Sequence, residues 1–157
     1  MRLLPKDYSR ADTTVFYALR QRDILGLVAK VMGIDYGSKR VGVAVTDESG
    51  TVAFPKGVLP NDKFLASSVI EMIVSDSVSE VVIGESKDNT GGDNSIARNA
   101  RAFAQLLERD AGVTIHFEPE YYSTQEVRTH TGGWHVDAEA AAVILNSFLT
   151  KRYGNHD

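Results

Sequence analysis

The chain has 157 residues, no cysteine, a formal net charge of −4, and 43% apolar and 24% charged residues. That is enough chain for one domain with a substantial core. The missing cysteines exclude disulfides and thiolate metal sites and fit a cytoplasmic setting. No apolar run approaches the roughly 20 residues of a membrane span, and the start lacks a signal-peptide pattern.

Taken in chain order, residues 1–31 come first, with six cations against three anions, so the remainder carries −7. Val15, Phe16, Leu19, Leu25 and Leu27 recur at roughly helical spacing there. Two readings stand for this stretch: an added helical extension, or a start placed too early, since Met32 could open the chain. The domain proper is expected over 32–157. Strands are expected over 31–36 and 41–47, then a turn at Asp47–Gly50 and a third strand near 51–59. Residues 64–74 have helical spacing, with Leu65, Val69, Ile70 and Ile73 on one side. Residues 80–84 form a short apolar run, as in a strand buried on both faces. A polar loop then leads through the cap residues Asp93, Asn94 and Ser95 to a helix over 96–111, stopped by Gly112. A fifth strand is expected over 113–117. A second polar loop precedes a final helix near 137–152, whose small-residue face is Ala138, Ala140, Ala141 and Ala142. The order β-β-β-α-β-α-β-α implies an α/β fold with a mixed five-stranded sheet flanked by helices.

The most informative stretch is Gly33-Ile34-Asp35-Tyr36-Gly37-Ser38-Lys39-Arg40-Val41-Gly42. A carboxylate leaving a buried strand is costly unless a charge or metal meets it. In open α/β sheets the working groups collect at the carboxyl ends of parallel strands. Asp35, Glu85 and the Glu118/Glu120 pair stand at or just beyond such ends, and Asp137 opens the last helix, where its plain reading is an N-cap. Together these acids suit a hard divalent cation, Mg²⁺ or Mn²⁺. His130 and His135 lack a third ligand at zinc spacing and read as loop residues. Strand–Asp–Gly openings belong to ribonuclease H-fold nucleases and to actin-like ATPases. The latter need two such domains, more chain than is present.

From Met32 to about Tyr153 the chain resembles the YqgF/RuvX family, the RuvC-like branch of the ribonuclease H fold. The segments that carry the resemblance are Met32–Ala44, Ala53-Phe54-Pro55, Val81–Gly84, the helix bearing Arg98, Ala100, Arg101, Phe103 and Ala104, and Asp137–Leu149. The resemblance implies a metal site of Asp35, Glu120 and Asp137, with Glu85 where RuvC-like enzymes proper carry a carboxylate. It also implies a metal-dependent endonuclease maturing the 5′ end of precursor 16S ribosomal RNA in ribosome biogenesis, or alternatively a Holliday junction resolvase.

Metal-assisted hydrolysis by this set would need no side-chain nucleophile. Lys39, Arg40, Arg98 and Arg101 are candidates for phosphate contacts, and Tyr121, Tyr122 and Trp134 for stacking on unpaired bases. The expected partner is nucleic acid, precursor rRNA ahead of branched DNA, with ribosomal particles as a wider context and no membrane. Monomer and homodimer both stay open; a resolvase acting on a four-way junction implies a symmetric dimer. The sequence departs from the family pattern at Pro119-Glu120-Tyr121-Tyr122, which keeps the glutamate and lacks its usual Asp and Arg neighbours. The acidic body and these changes support a rival reading, an RNA- or ribosome-binding module that keeps the fold without the chemistry.

Overall fold

A computed structural model describes residues 28–85, 94–119 and 135–154. Strands β1 (Lys30–Tyr36), β2 (Arg40–Thr46) and β3 (Ala53–Pro60) come first, then helix α1 (Leu65–Ser75) and β4 (Val78–Glu85). Helix α2 (Ser95–Ala111), β5 (Thr114–Pro119) and α3 (His135–Tyr153) complete the order. The five strands form one sheet in the order β3-β2-β1-β4-β5. The β1–β2 and β2–β3 pairs are antiparallel, whereas β1–β4 and β4–β5 are parallel. The mixed sheet and the element order are those expected.

Period-2 alternation sends each strand's side chains to two different cores. Met32, Ile34, Val41, Val43, Val81 and Ile83 meet the apolar faces of α1 and α2 on one side. Val31, Ala44 and Val82 meet Ala141, Ile144, Leu145 and Leu149 of α3 on the other. This sandwich explains why β1, β2 and β4 read as nearly continuous apolar runs. Helix α2 has both expected ends: the Asn94 side chain accepts the Ala97 N–H at 2.8 Å, and Gly112 closes it at φ 67°. Its left-handed backbone is one that glycine adopts without a Cβ penalty.

Several boundaries move. β3 begins at Ala53, because the N–H groups of Thr51 and Val52 donate to Asp47 Oδ1 and hold the turn. β4 begins at Val78, which pairs with Lys30 across an irregularity in the ladder. Lys30 and Val31 thus belong to the sheet; the amphipathic stretch expected before them lies outside the described residues up to position 27. Helix α3 begins at His135, so Asp137 stands inside its first turn and not at the N-cap, and His135 is helical and not part of a loop.

Candidate active site

The site is assembled by a glycine. In the β1–β2 ladder Asp35 sits opposite Gly42, and the first turn of α3 lies directly on that glycine. A Cβ built on Gly42 would stand 1.8 Å from the Asp137 carbonyl oxygen and 2.9 Å from the Ala138 nitrogen. Further along β1, a Cβ on Gly33 would meet the Ala141 carbonyl oxygen at 2.6 Å and Leu145 Cβ at 2.8 Å. The two glycines hollow the sheet where α3 crosses it, and the close approach brings Asp137 to the strand end that carries Asp35.

Asp35 is 4% exposed. Asp137 Oδ2 is buried and has no aligned hydrogen bond, although Arg40 Nε stands 3.1 Å away. That contact is an ion pair, with Arg40 about half exposed. Carboxylates placed on neighbouring backbone repel one another unless cations offset them; Arg40 supplies one such charge at Asp137.

Glu85 ends β4 on the other side of the sheet. It shares a depression with Tyr36, Gly84, Ala97, Arg101 and Phe117, and Arg101 Nη1 is 3.9 Å from its Oε1. The structure therefore brings Asp35 and Asp137 together and sets Glu85 with α2. Lys39 is exposed in the β1–β2 turn, and Arg98 is exposed in the first turn of α2. Glu120, Tyr121, Tyr122, His130 and Trp134 lie outside the described residues.

Sequence reasoning set Glu118 beside Glu120 and took only the latter forward. Glu118 proves to be 4% exposed. Its Oε1 accepts from Ser147 Oγ at 2.8 Å and from Lys151 Nζ, so the carboxylate anchors the far part of α3 to β5. Strand alternation with the apolar Ile115 and Phe117 would set Glu118 outward, so the sequence carried no signal for its burial.

Among the described residues, α1, α2 and α3 all start at the strand end that holds Asp35. α1 follows Pro60, which pairs with Arg40; the first turn of α2 borders Glu85; α3 starts on Gly42. Three helix N-termini add partial positive charge there, a setting that favours anions such as phosphate.

Among the described residues no group of three acidic, His or Cys side chains gathers. The two that do come together are hard oxygen donors, and Asp137 Oδ2 lacks a hydrogen-bond partner. Both features suit Mg²⁺ or Mn²⁺ with a further ligand from elsewhere.

A family model described as RuvX, Holliday junction resolvase, matches residues 29–151. The chain belongs to the RuvX family. Among relatives, a protein of Maridesulfovibrio salexigens provisionally named a pre-16S rRNA nuclease is 32% identical over 133 residues, 78% of this chain and 98% of that protein. One from Anaeromyxobacter with the same provisional name is 33% identical over 135 residues, 79% of this chain and 98% of its own. Among solved structures, Thermus thermophilus RuvC in complex with a Holliday junction substrate superposes with a TM-score of 0.56 at 17% identity, covering 81% of this chain and 97% of RuvC. At that identity the likeness shows the fold: the RuvX chain shares the RuvC-like, ribonuclease H-type α/β sheet expected for it.

Proposed function

We propose that this RuvX chain is a metal-dependent endonuclease that matures the 5′ end of precursor 16S ribosomal RNA. The observation that carries the reading is the convergence of Asp35 and Asp137 on Gly42, at the strand end where the three helices begin. The provisional names of the relatives supply the substrate.

Asp35 and Asp137 would hold the cation, Mg²⁺ or Mn²⁺, with Glu120 as a third ligand and Glu85 nearby on the α2 side. When bound, such a cation lowers the pKa of an attacking water and stabilises a leaving oxygen. The chain's own part is to bind and orient the strand. Lys39, Arg40, Arg98 and Arg101 meet its phosphates, and the helix N-termini favour the same charge. A ribosomal particle as the setting and a cytoplasmic location follow from that substrate; among the described residues no helix is long and apolar enough to cross a membrane.

Resolution of four-way DNA junctions is the second reading, favoured by the family model's own description. The test offers precursor 16S leader RNA and a four-way junction side by side, with Mn²⁺, Mg²⁺ or EDTA, to the wild-type protein and Asp35→Asn. Metal-dependent cutting of the RNA, lost in the variant while RNA binding persists, is expected. Preferential cutting of the junction would select the resolvase. Binding without cutting of either substrate would leave a non-catalytic RNA-binding module.

A further inference from the structure

Phe64 occupies the N-cap position of α1, yet makes no side-chain capping hydrogen bond there. The residue is 59% exposed. The backbone beneath it is held firmly. Asp62 Oδ1 accepts the Phe64 N–H at 2.8 Å, and Ser67 Oγ donates to the Phe64 carbonyl at 2.9 Å. The ring is thus presented on a fixed support.

That support is tied to the candidate active site. The Asn61 N–H donates to the Lys39 carbonyl at 2.9 Å, and Asn61 Nδ2 donates to the Gly37 carbonyl at 2.7 Å. Asn61 therefore clamps the start of α1 to the β1–β2 turn, whose next residue, Arg40, contacts Asp137. Exposed cations accompany the ring on both sides of the clamp: Lys39 in the turn, and Lys63, whose Nζ lies 5.0 Å from the Phe64 centroid. An exposed aromatic ring with one ammonium at its face and a second cation across the clamp offers what single strands use, bases stacking on rings while phosphates pair with cations.

We propose that Phe64, with Lys63 and Lys39, is a stacking platform for an unpaired base of an RNA strand whose neighbouring phosphates run toward Arg40 and the carboxylates. The proposal deepens the nuclease reading and rests on it. It assigns the enzyme a single-stranded stretch beside the cut, and makes Phe64 a determinant of single-strand preference. The occupant is argued from charge complementarity, with Lys63 over the ring and Lys39 across the Asn61 clamp, and from the Asn61 link to the site.

The experiment uses the full chain with a short single-stranded RNA carrying one 2-aminopurine, and with a duplex of the same sequence, both in EDTA to prevent cutting. Wild type should quench the probe on the single strand. Phe64→Ala and Phe64→Leu should lose the quench and weaken single-strand binding about tenfold, within the 1–3 kcal/mol typical of one base–aromatic stack, while Phe64→Trp retains both. Duplex affinity should change little. Unaltered quenching in Phe64→Ala would overturn the proposal. So would a lowered melting temperature with unaltered RNA affinity, which would mean that another part of the chain covers the ring. Parallel cleavage assays separate the two readings. Asp35-dependent cutting with no effect at Phe64 sinks the platform alone. Phe64-dependent quenching without any cutting sinks the nuclease and leaves an RNA-binding surface.

Discussion

Gly42 stands where the chain has no room for any side chain, and its neighbours explain why the site exists. Its role is spatial: the Asp137 carbonyl occupies the volume a methyl group would need. Gly42→Ala must push α3 off the sheet. The expected outcome is a loss of about 3 kcal/mol, the upper end for overpacking a close contact, together with weakened Mn²⁺ binding as Asp137 leaves Asp35. Urea melts and calorimetric metal titration would check both. Asp35 was legible in the sequence because a carboxylate at the end of an apolar strand has few inexpensive explanations. The contact of Arg40 with Asp137 was not, since only the fold brings β2 to the start of the last helix. The constraint on Gly42, a helix backbone pressed on it, has no local signature in the sequence.

Among the elements, α1 and α2 were readable almost to the residue, since their apolar periodicity faces one core and α2 carries an Asn cap and a terminal glycine. The start of α3 was less legible. Its alanines fit many environments, and Asp137 has the chemistry of a cap while working as a partner of Arg40. The other end of α3 is held by a clasp that periodicity does not reveal. Arg152 Nη1 and Nη2 donate to the two carboxylate oxygens of Glu80 at 2.9 and 2.6 Å, and His116 shares Glu80 Oε2 at 2.7 Å. Phe148 packs between His116 and Arg152, its ring centroid 4.8 Å from the imidazole and 4.6 Å from the guanidinium carbon. The Arg152 hydrogen bonds, then those of His116, hold the Glu80 carboxyl below its usual value against the opposing effect of burial. A carboxylate with a lowered folded pKa stabilises the protein above its unfolded pKa, and that stabilisation is lost as pH falls through the folded value. Glu80→Gln should therefore cost about 1 kcal/mol near neutrality. It should also flatten the acid limb of melting temperature against pH, below the ordinary glutamate value of 4.5. Calorimetric melts from neutral to acid pH would show it.

At the scale of the whole molecule, net charge misleads. The protein is acidic overall, yet Lys39, Arg40, Lys63, Arg98 and Arg101 all lie on or beside the segments at the strand end where α1, α2 and α3 begin. Binding of single-stranded RNA should accordingly weaken with salt despite the formal −4. Lys39→Ala should reduce the slope of log K against log salt by roughly 0.7, the release expected for one phosphate contact on a single strand. An unchanged slope would place Lys39 off the strand's path. A formal −4 argues against a broad phosphate-binding surface, and a compact polarised end is compatible with that; the total does not convey the direction in which the fold sorts its charges.

The seating of α3 on Gly42 has one more consequence. Asp35 is made with the first described strand and Asp137 with the last described helix, and neither meets the other until that helix lands on the sheet. During synthesis β1 and β2 leave the ribosome well before α3. A nascent or truncated chain, however well its sheet has formed, holds only half of the carboxylate pair. On the proposed function, a chain acquires the pair that would hold the metal only once it has been made through Asp137 and α3 has landed on the sheet.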